Sequence, residues 1–452
     1  MPFDSAPPAR PLDIAVIGTG ISGMAAAWLL SDRHRVTVYE REGRIGGHTN
    51  TVEAPGPNGP IPVDTGFIVY NERNYPNLVA LFEHLGVPTK PSDMSFAASI
   101  DDGDLEYSGT GIAGMLAQKR NLLRPRFWRM VRDIVRFYRH GPGLLERPEA
   151  EAITLGAYLD DQRYSHSFVY NHLLPMAAAI WSTAVVDMRA HPASAFIRFC
   201  TNHGLMQMNG RPQWRTVAGG SREYVRRLTA RYADRVRLNA RVRSVRRVAG
   251  RVLVVDETGL EATYDHVVIA AHADQALAML ADAGDRERSV LGAFKYARNS
   301  AVLHRDAALM PKRRKVWSSW NYLSRRCDDG SSAVCVSYWM NRLQGLDPAT
   351  PLFVTLNAHR QPRPDAVIAT FDYDHPTFDL AAMAAQRRLW SLQGQRNTWF
   401  CGSYFGAGFH EDGLQAGLAV AEALGGVRRP WSVDNESGRL HLPPAAVTPV
   451  AA

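Results

Sequence analysis

The chain has 452 residues, of which 46% are hydrophobic and 21% are charged, and its formal net charge is +8. This composition excludes a disordered or fibrous protein and predicts two or three globular domains. Because we find neither a long apolar run nor an apolar leader at the N-terminus, we expect a cytoplasmic protein. The four cysteines lack metal-ligand spacing, so no metal site is predicted.

The first predicted elements form a strand–helix–strand unit. DIAVIG at 13–18 is a short apolar run typical of a buried parallel strand, and the Ala- and Leu-rich stretch at 21–32 predicts a helix. The alternating stretch at 35–40 predicts the next strand, which ends at Glu40. An acid at this place accepts hydrogen bonds from a ribose in dinucleotide-binding proteins.

Three glycines with GxGxxG spacing connect the first strand to the helix. Gly18 permits the tight turn, and Gly23 lets the helix and strand pack closely. Gly20 lets a pyrophosphate approach the backbone at the helix N-terminus, where Ile21 and Ser22 lie. The unit therefore predicts a dinucleotide site, without indicating which dinucleotide it binds.

Three further stretches narrow the choice of cofactor. REGRIGGHTNT at 41–51 adds a second glycine loop, and PVDTGFIVYN follows at 62–71. The stretch at 398–424 predicts a strand, a glycine-rich loop and a helix from about Gly413, with Asp412 as its N-cap. Together with GxGxxG, these stretches resemble the flavin amine-oxidase family, which includes monoamine oxidases, protoporphyrinogen oxidases and carotenoid desaturases.

The resemblance implies that the cofactor is FAD and implies roles for the matching positions. Those expected around the phosphates and ribityl chain are Arg41, Arg44, Gly46, Gly47, His48, Gly402 and Asp412. Those expected at the flavin ring are Thr65, Gly66, Phe67 and the amides of Gly413 and Leu414. Val242 matches a valine whose backbone meets the adenine in relatives.

The resemblance also implies the fold class and the domain layout. The fold is α/β, with a Rossmann-like FAD-binding domain and an inserted substrate domain of mixed sheet and helices. The predicted boundaries are 1–75, 214–275 and 390–435 for the FAD domain, 76–213 and 276–389 for the substrate domain, and 436–452 for a loosely ordered tail.

Aromatic residues recur on the predicted strands of the second insert: Trp317, Trp320, Tyr322, Tyr338 and Trp339. They either line an apolar pocket over the flavin or pack in the core of the sheet. Since side chains alternate along a strand, the sequence leaves both alternatives open for each ring.

Two positions bear on the chemistry. Amine-oxidising relatives often carry a lysine at the flavin, and the simplest alignment places Asn299 there, although a gap would restore Lys295. Without that lysine, amine oxidation is less favoured. His410, in the loop before the C-terminal helix, is the candidate base or proton relay. Its alternative role is that of a structural loop histidine.

Residues 119–139 contain eight Lys or Arg and a single acid, Asp133. Arranged on a helix, 126–139 separates into an apolar face and an arginine face. Such a helix either binds an anionic membrane surface or packs on its own domain with a solvated arginine face. If it binds a membrane, we expect the inner face of the cell membrane. No nucleic-acid-binding module accompanies the positive charge, so nucleic acid is not an expected partner.

A narrower resemblance rests on the combination of 44–52, 64–78, 177–183, 202–205, 318–323 and 408–414. It is to a bacterial subgroup associated with cyclopropane-fatty-acid-synthase-like methyltransferases, which implies a methyltransferase as pathway partner. It implies an FAD-dependent oxidoreductase that desaturates fatty-acyl chains of membrane phospholipids. The alternatives are a fatty-acid double-bond isomerase, an amine oxidase, and a non-catalytic flavin-binding redox sensor or scaffold.

Overall fold

The structure is a computed structural model that describes residues 10–181, 187–207, 210–326, 332–425 and 427–443. The last two residues of the stretch 177–183 and the end of the predicted tail, 444–452, lie outside the described residues. In the described part of the chain, no helix has the length and apolar character needed to cross a bilayer.

A parallel sheet of five strands carries the GxGxxG turn. Its strand order is β10–β2–β1–β14–β20, with β1 at Asp13–Ile17, β2 at Arg35–Tyr39, β10 at Val236–Arg237, β14 at His266–Ile269 and β20 at Thr398–Phe400. The central strand β1 is buried from Ile14 to Ile17, as expected for a strand covered on both faces. Its strands come from all three segments assigned to the FAD domain.

Two helices lie against this sheet and against each other. Helix α1 (Ile21–Leu30) is buried along its whole length, and helix α14 (His410–Gly425) packs on it. The contact is close because Gly417 faces α1: a Cβ at Gly417 would lie 2.2 Å from the Ser22 carbonyl oxygen. This packing places the N-terminal ends of both helices beside the glycine loops.

The second large sheet has seven strands. Its order is β19–β15–β18–β17–β16–β7–β8, with β7 at Phe96–Ile100, β8 at Leu105–Ser108, β15 at Lys295–His304, β16 at Trp320–Arg326, β17 at Ser332–Trp339, β18 at Phe353–Leu356 and β19 at Val367–Thr377. All neighbours are antiparallel except β16 and β7. Its strands come from both segments assigned to the substrate domain.

Smaller sheets and helices complete the fold. The remaining strands are β3 (Thr51–Ala54), β4 (Ile61–Asp64), β5 (Tyr70–Asn71), β6 (Thr89–Ser92), β9 (Trp214–Val217), β11 (Val242–Val248), β12 (Arg251–Asp256) and β13 (Glu261–Tyr264). The remaining helices are α2 (Pro76–His84), α3 (Ile112–Met115), α4 (Pro125–His140), α5 (Leu155–Asp161), α6 (His166–Phe168), α7 (Leu174–Trp181), α8 (Ala193–Asn202), α9 (Arg222–Thr229), α10 (Ala273–Met279), α11 (Asp285–Leu291), α12 (Met340–Leu343) and α13 (Leu380–Leu389).

The prediction of a loose tail from residue 436 is wrong for 436–443. Arg439 forms an ion pair with the buried Asp412 at 2.9 Å, and Leu440 is 8% exposed. The Pro- and Ala-rich composition that suggested disorder belongs to the residues after 443. The arginine anchors the segment because Asp412 is a buried acid that needs a cationic partner.

Candidate functional site

The GxGxxG turn has the geometry of a ligand-binding loop. Gly18 has φ +103°, and a Cβ there would lie 2.6 Å from the Ala270 carbonyl oxygen. A Cβ at Gly23 would lie 2.0 Å from the Gly18 carbonyl oxygen. Packing therefore requires both glycines. At Gly20, by contrast, a Cβ would meet no protein atom within 4 Å, so this backbone faces open space that a ligand can occupy.

Glu40 lies at the end of β2 and is buried. Its Oε2 accepts hydrogen bonds from the amide of Thr19, at 3.0 Å, and from the Thr19 hydroxyl, while its Oε1 accepts from the amide of Glu42 at 2.9 Å. A carboxylate has about four acceptor sites, so one remains for a ligand hydroxyl. These contacts fix the carboxylate in place at the cavity wall.

The second glycine loop packs directly on the first. Gly46 has φ +126°, and its amide donates to the Thr19 hydroxyl at 3.1 Å. A Cβ at Gly47 would lie 3.1 Å from Gly20 Cα. Thr19 thus ties both loops to Glu40. The sequence analysis assigned Thr19 no role, because its position inside the glycine motif admits any residue.

These loops border a cavity of about 810 Å³ that reaches into the space beside the seven-stranded sheet. Most positions expected at the cofactor line it: Gly18, Gly20, Ile21, Ser22, Glu40, Arg41, Arg44, Gly46, Gly47, His48, Thr65, Gly66, Phe67, Val242 and Gly402. His410 lines it as well. Gly23, Asn299, Asp412, Gly413 and Leu414 do not. The volume lies in the upper part of the range of ligand pockets, about 300–1,000 Å³.

The residues at the start of α14 differ from the prediction because the helix begins at His410 rather than near Gly413. Asp412 is therefore not the N-cap, and its Oδ2 accepts from the Phe409 amide at 2.7 Å. The Gly413 amide already donates to the Phe409 carbonyl, and Leu414 is fully buried. The amides left free by this helix start are those of its first turn, from His410 onward.

The nucleotide side of the cavity fits FAD. Two of its buried polar atoms, Nδ1 of His272 and the hydroxyl of Tyr404, have no hydrogen-bond partner among the described residues. Buried polar groups are normally hydrogen-bonded, so we expect a polar ligand to supply the missing partners of these two atoms. The open side of Gly20 and the free acceptor site of Glu40 agree with a pyrophosphate and a ribose. These residues would hold the nucleotide of FAD.

The other side of the cavity is built from apolar and aromatic side chains. We call it the aromatic end, and it consists of Phe67, Ile68, Val69, Tyr75, Met94, Ile180, Trp181, Phe199, His203, Leu205, Trp214, Trp320, Tyr338, Leu356, Phe409 and His410. Its rings touch one another: the centroids of Phe199 and Phe409 are 4.7 Å apart. The acids that line the cavity are Glu40, Glu42, Glu257, Asp372 and Asp374.

Strand register decides which aromatic residues of the sheet reach the cavity. Trp320 and Tyr338 are paired across β16 and β17, with ring centroids 5.0 Å apart, and both line the aromatic end. Trp317 and Trp339 pack together with Phe353 in a separate small core. Both alternatives left open by the sequence thus occur, on different rings of the same sheet.

No lysine lines the cavity. The five lysines of the chain all lie in the described part: Lys90, Lys119, Lys295, Lys312 and Lys315. A gapped alignment would place Lys295 at the flavin. The side chain of Lys295 is 75% exposed, and its Nζ lies 3.7 Å from Asp379 Oδ2. The lysine associated with amine oxidation in relatives therefore has no counterpart in this cavity.

Asn299 lies behind the cavity wall rather than in it. Its Nδ2 donates to the Ala297 carbonyl at 3.0 Å and is 3.0 Å from His375 Nδ1, while its Oδ1 accepts from Asn357 at 2.7 Å. His375 lines the cavity, and burial lowers its pKa to about 3. Asn299 thus contacts a residue of the cavity wall without lining the cavity itself.

His410 is neutral and well anchored. Burial, with a smaller contribution from His48, lowers the pKa of His410 to about 3. Its ring stacks on Phe67 with centroids 3.7 Å apart, and its Nε2 is 2.6 Å from the Tyr224 hydroxyl. The Tyr224 hydroxyl is also bonded to that of Thr49, and both residues are buried. This network ends inside the protein, so it anchors His410 and Phe67.

His203 offers the open acceptor of the aromatic end. Its Nδ1 lies 2.9 Å from the Phe199 carbonyl oxygen. Because a carbonyl only accepts, Nδ1 carries the proton and Nε2 holds a free lone pair. This Nε2 is buried without a partner among the described residues, and burial lowers the pKa of His203 to about 4. The sequence analysis gave His203 no role.

Comparisons with known proteins place these features in context. The family model described as flavin containing amine oxidoreductase matches residues 21–424. A protein that carries the name flavin-containing monoamine oxidase AofH, in two strains of Mycobacterium tuberculosis, is 28% identical over 270 residues. That match covers 57% of this chain and 56% of the relative, so the chain matches little more than half of that protein's length.

Solved structures extend the likeness to most of the fold. The CLA-producing fatty acid isomerase from P. acnes has a TM-score of 0.63 at 15% identity, over 90% of this chain and 97% of that one. Cyclohexylamine oxidase from Brevibacterium oxydans IH-35A has a TM-score of 0.63 at 17% identity, over 92% of this chain and 100% of that one. At these identities the likeness establishes the shared fold alone, which is the predicted α/β two-domain flavoprotein fold.

Proposed function

Because the chain belongs to the flavin-containing amine oxidoreductase family, and is thus an FAD-dependent oxidoreductase, we propose that its substrate is an unsaturated fatty-acyl chain of a membrane phospholipid, which it desaturates. The observation that carries this proposal is the aromatic end of the cavity. The side chains that form it are apolar or aromatic, and none of the five lysines of the chain lines the cavity. An acyl chain gains free energy on entering such a pocket, at about 0.8 kcal/mol for each buried CH₂.

The same wall binds a protonated amine less favourably than an acyl chain. A protonated amine has to leave water, and a buried cation is costly unless an acid or hydrogen bonds accompany it. The described residues of the aromatic end offer no carboxylate for this purpose. Amine oxidation remains the second candidate because the sequence relative AofH carries the name of a monoamine oxidase, and aromatic faces also attract cations.

The residues present support removal of a hydride and a proton from neighbouring carbons. When bound, FAD supplies the hydride acceptor. An allylic C–H bond beside an existing double bond is activated for this loss, and the remaining proton then needs an acceptor. His203 Nε2 is the free acceptor at the aromatic end, and we assign it this role. The apolar wall holds the chain and excludes water.

A double-bond isomerase is a close alternative, since one solved structure with this fold is a fatty acid isomerase. In that reaction the hydride returns to the substrate, so the number of double bonds is unchanged. A desaturase adds one double bond and leaves the cofactor reduced. The two reactions therefore differ in electron balance, which a single anaerobic experiment measures.

The experiment mixes the FAD-containing protein, without oxygen, with phospholipid vesicles whose acyl chains are mono-unsaturated. We expect the visible flavin absorbance to fall and the lipid extract to contain a diene. Vesicles with saturated chains are the control and should leave the absorbance unchanged. Shifted double bonds with unchanged absorbance would instead establish the isomerase, and reduction by small amines alone would establish the amine oxidase.

His410 is expected to support turnover by positioning. Replacing it by Ala removes the ring stacked on Phe67 and should lower the rate of flavin reduction about tenfold, with FAD retained, because small misplacements slow reaction. Tyr224→Phe keeps the aromatic packing and removes one hydroxyl, so its effect should be smaller. If His410→Ala kept full turnover with bound FAD, the positioning role assigned to His410 would be contradicted.

A further inference from the structure

Helix α4 presents two different faces. Phe127, Met130 and Phe137 are buried against the rest of the domain, and so is Asp133, which accepts a hydrogen bond from the Ser165 amide at 2.9 Å. Packing on its own domain therefore accounts for the inner face, one of the two alternatives that the sequence left open. It does not account for the outer face.

The outer face exposes apolar side chains together with cations. Leu123, in the turn before α4, is 87% exposed, Leu122 is 45% exposed and Trp128 is 48% exposed. The indole nitrogen of Trp128 donates to the Leu122 carbonyl at 2.9 Å, which holds the Trp128 ring beside the backbone of the two leucines. Side chains of this size are costly to leave in water unless a partner covers them.

Part of the positive charge in this segment lacks a counter-charge in the described part of the protein. Arg120, Arg124 and Arg126 converge on the single acid Asp104. Lys119, Arg129 and Arg139 are exposed, and no ion pair to any described acid holds them. Three exposed cations without an ion pair to a described acid thus lie in the same segment, 119–139, as the exposed apolar side chains.

We propose that this basic surface, formed by Leu122, Leu123, Trp128, Lys119, Arg129 and Arg139, docks on an anionic phospholipid bilayer. The cations match the charge of the lipid headgroups, and the apolar side chains insert at the boundary with the acyl chains. A soluble polyanion would satisfy the cations and leave the two leucines in water. The combination therefore favours a lipid surface over an acidic protein.

The basic surface is also connected to the cavity through packed rings. On the inner face of α4, the ring centroid of Phe137 lies 6.4 Å from that of Phe196 in α8. The ring centroid of Phe196 lies 5.8 Å from that of Trp181, which lines the aromatic end. A bilayer held at α4 would thus lie a few side chains from the apolar wall. Docking itself does not depend on the proposed substrate, because it is measured without turnover.

The test measures binding of the FAD-containing full chain to vesicles by co-sedimentation. Vesicles of phosphatidylcholine mixed equally with phosphatidylglycerol are compared with vesicles of phosphatidylcholine alone. We expect binding to the mixed vesicles, weakening as salt is added, and at least tenfold weaker binding to the neutral vesicles. Equal binding to both, or no binding at low salt, would overturn the proposal.

Two double variants separate the charged and apolar contributions. Arg129→Gln with Arg139→Gln should weaken binding to the mixed vesicles by about 25-fold, since each charge contributes about fivefold. The matched control is Arg226→Gln with Arg235→Gln, which replaces two exposed arginines of another surface. This control variant should bind the mixed vesicles as the wild type does. An effect of the control equal to that of the test pair would contradict the proposed surface.

Leu122→Ser with Leu123→Ser should weaken binding about tenfold or more, because each leucine contributes several CH₂ groups. Its control is Val248→Ser with Leu260→Ser, which are 47% and 56% exposed in another part of the chain. Unchanged binding of the leucine variant would overturn insertion. Stronger binding to soluble polyaspartate than to the mixed vesicles would show an acidic partner instead and would also overturn the proposal.

Discussion

Replacing His203 by Asn is expected to lower the rate of flavin reduction by mono-unsaturated phospholipid by about 10²-fold or more, the range found for loss of a positioned general base. Asn can still donate to the Phe199 carbonyl, as His203 Nδ1 does at 2.9 Å. It lacks the basic lone pair of Nε2, which has no partner among the described residues. The rate is measured by stopped-flow absorbance without oxygen, and FAD content is measured on the same samples.

A histidine elsewhere in the fold provides the matched control. His172 is also buried, with a pKa lowered to about 4 by burial and an Nε2 that has no partner among the described residues, but it does not line the cavity. His172→Asn should therefore keep the wild-type rate. Equal losses in the two variants would mean that His203 only supports the fold.

The pH dependence gives a second check on His203. Its pKa is lowered to about 4 by burial, so the neutral ring with a free Nε2 persists throughout the neutral range. The rate should be flat from neutral pH down to about pH 5 and then fall as the ring is protonated near pH 4. A rate lost on raising the pH through neutrality would indicate a protonated histidine and would contradict the assignment.

Gly20→Ala is expected to abolish the yellow colour of the purified protein while leaving the apoprotein folded. The backbone at Gly20 has φ −61°, which Ala adopts freely, and the new methyl group would meet no protein atom within 4 Å. It would instead occupy the space that a pyrophosphate needs. Losing two charge-assisted hydrogen bonds, each of about 1.5–3 kcal/mol, corresponds to at least about 10²-fold weaker FAD binding.

The control for Gly20 is Gly143→Ala. A Cβ at Gly143 also meets no protein atom within 4 Å, and its backbone is not in the left-handed region. This variant should keep both its FAD affinity, measured by flavin fluorescence titration, and its melting temperature. If Gly20→Ala bound FAD as the wild type does, the pyrophosphate would have to lie elsewhere in the cavity.

The nucleotide half of the site was predictable because its contacts join residues close in the chain. Gly23 packs on the carbonyl of Gly18 five residues earlier, and Glu40 bonds to Thr19 across one strand–helix–strand unit. Such local geometry leaves a fixed spacing in the sequence. The spacing predicted a dinucleotide site, and the resemblance of the further glycine loops to the flavin amine-oxidase family then implied FAD and the α/β fold.

The substrate half was not predictable in the same way. Whether Tyr338 or Trp339 faces the cavity depends on the register of β17 against β16, and a shift of one residue would exchange the two faces. The ion pair of Asp412 with Arg439 likewise joins the start of α14 to a segment that lies 27 residues further along the chain. Neither contact leaves a local signature in the sequence.

The sequence by itself thus determined a dinucleotide site and the positions of the glycine loops, because short-range geometry requires particular residues at fixed spacing. The cofactor and the fold class followed from the family resemblance that these loops carry. Only the tertiary structure decided that His203 carries the free acceptor, that Asn299 lies behind His375, and that Lys295 is at the surface. It also showed that Leu122, Leu123 and Trp128 are exposed. These properties depend on burial and on partners far apart in the chain, which no local pattern encodes.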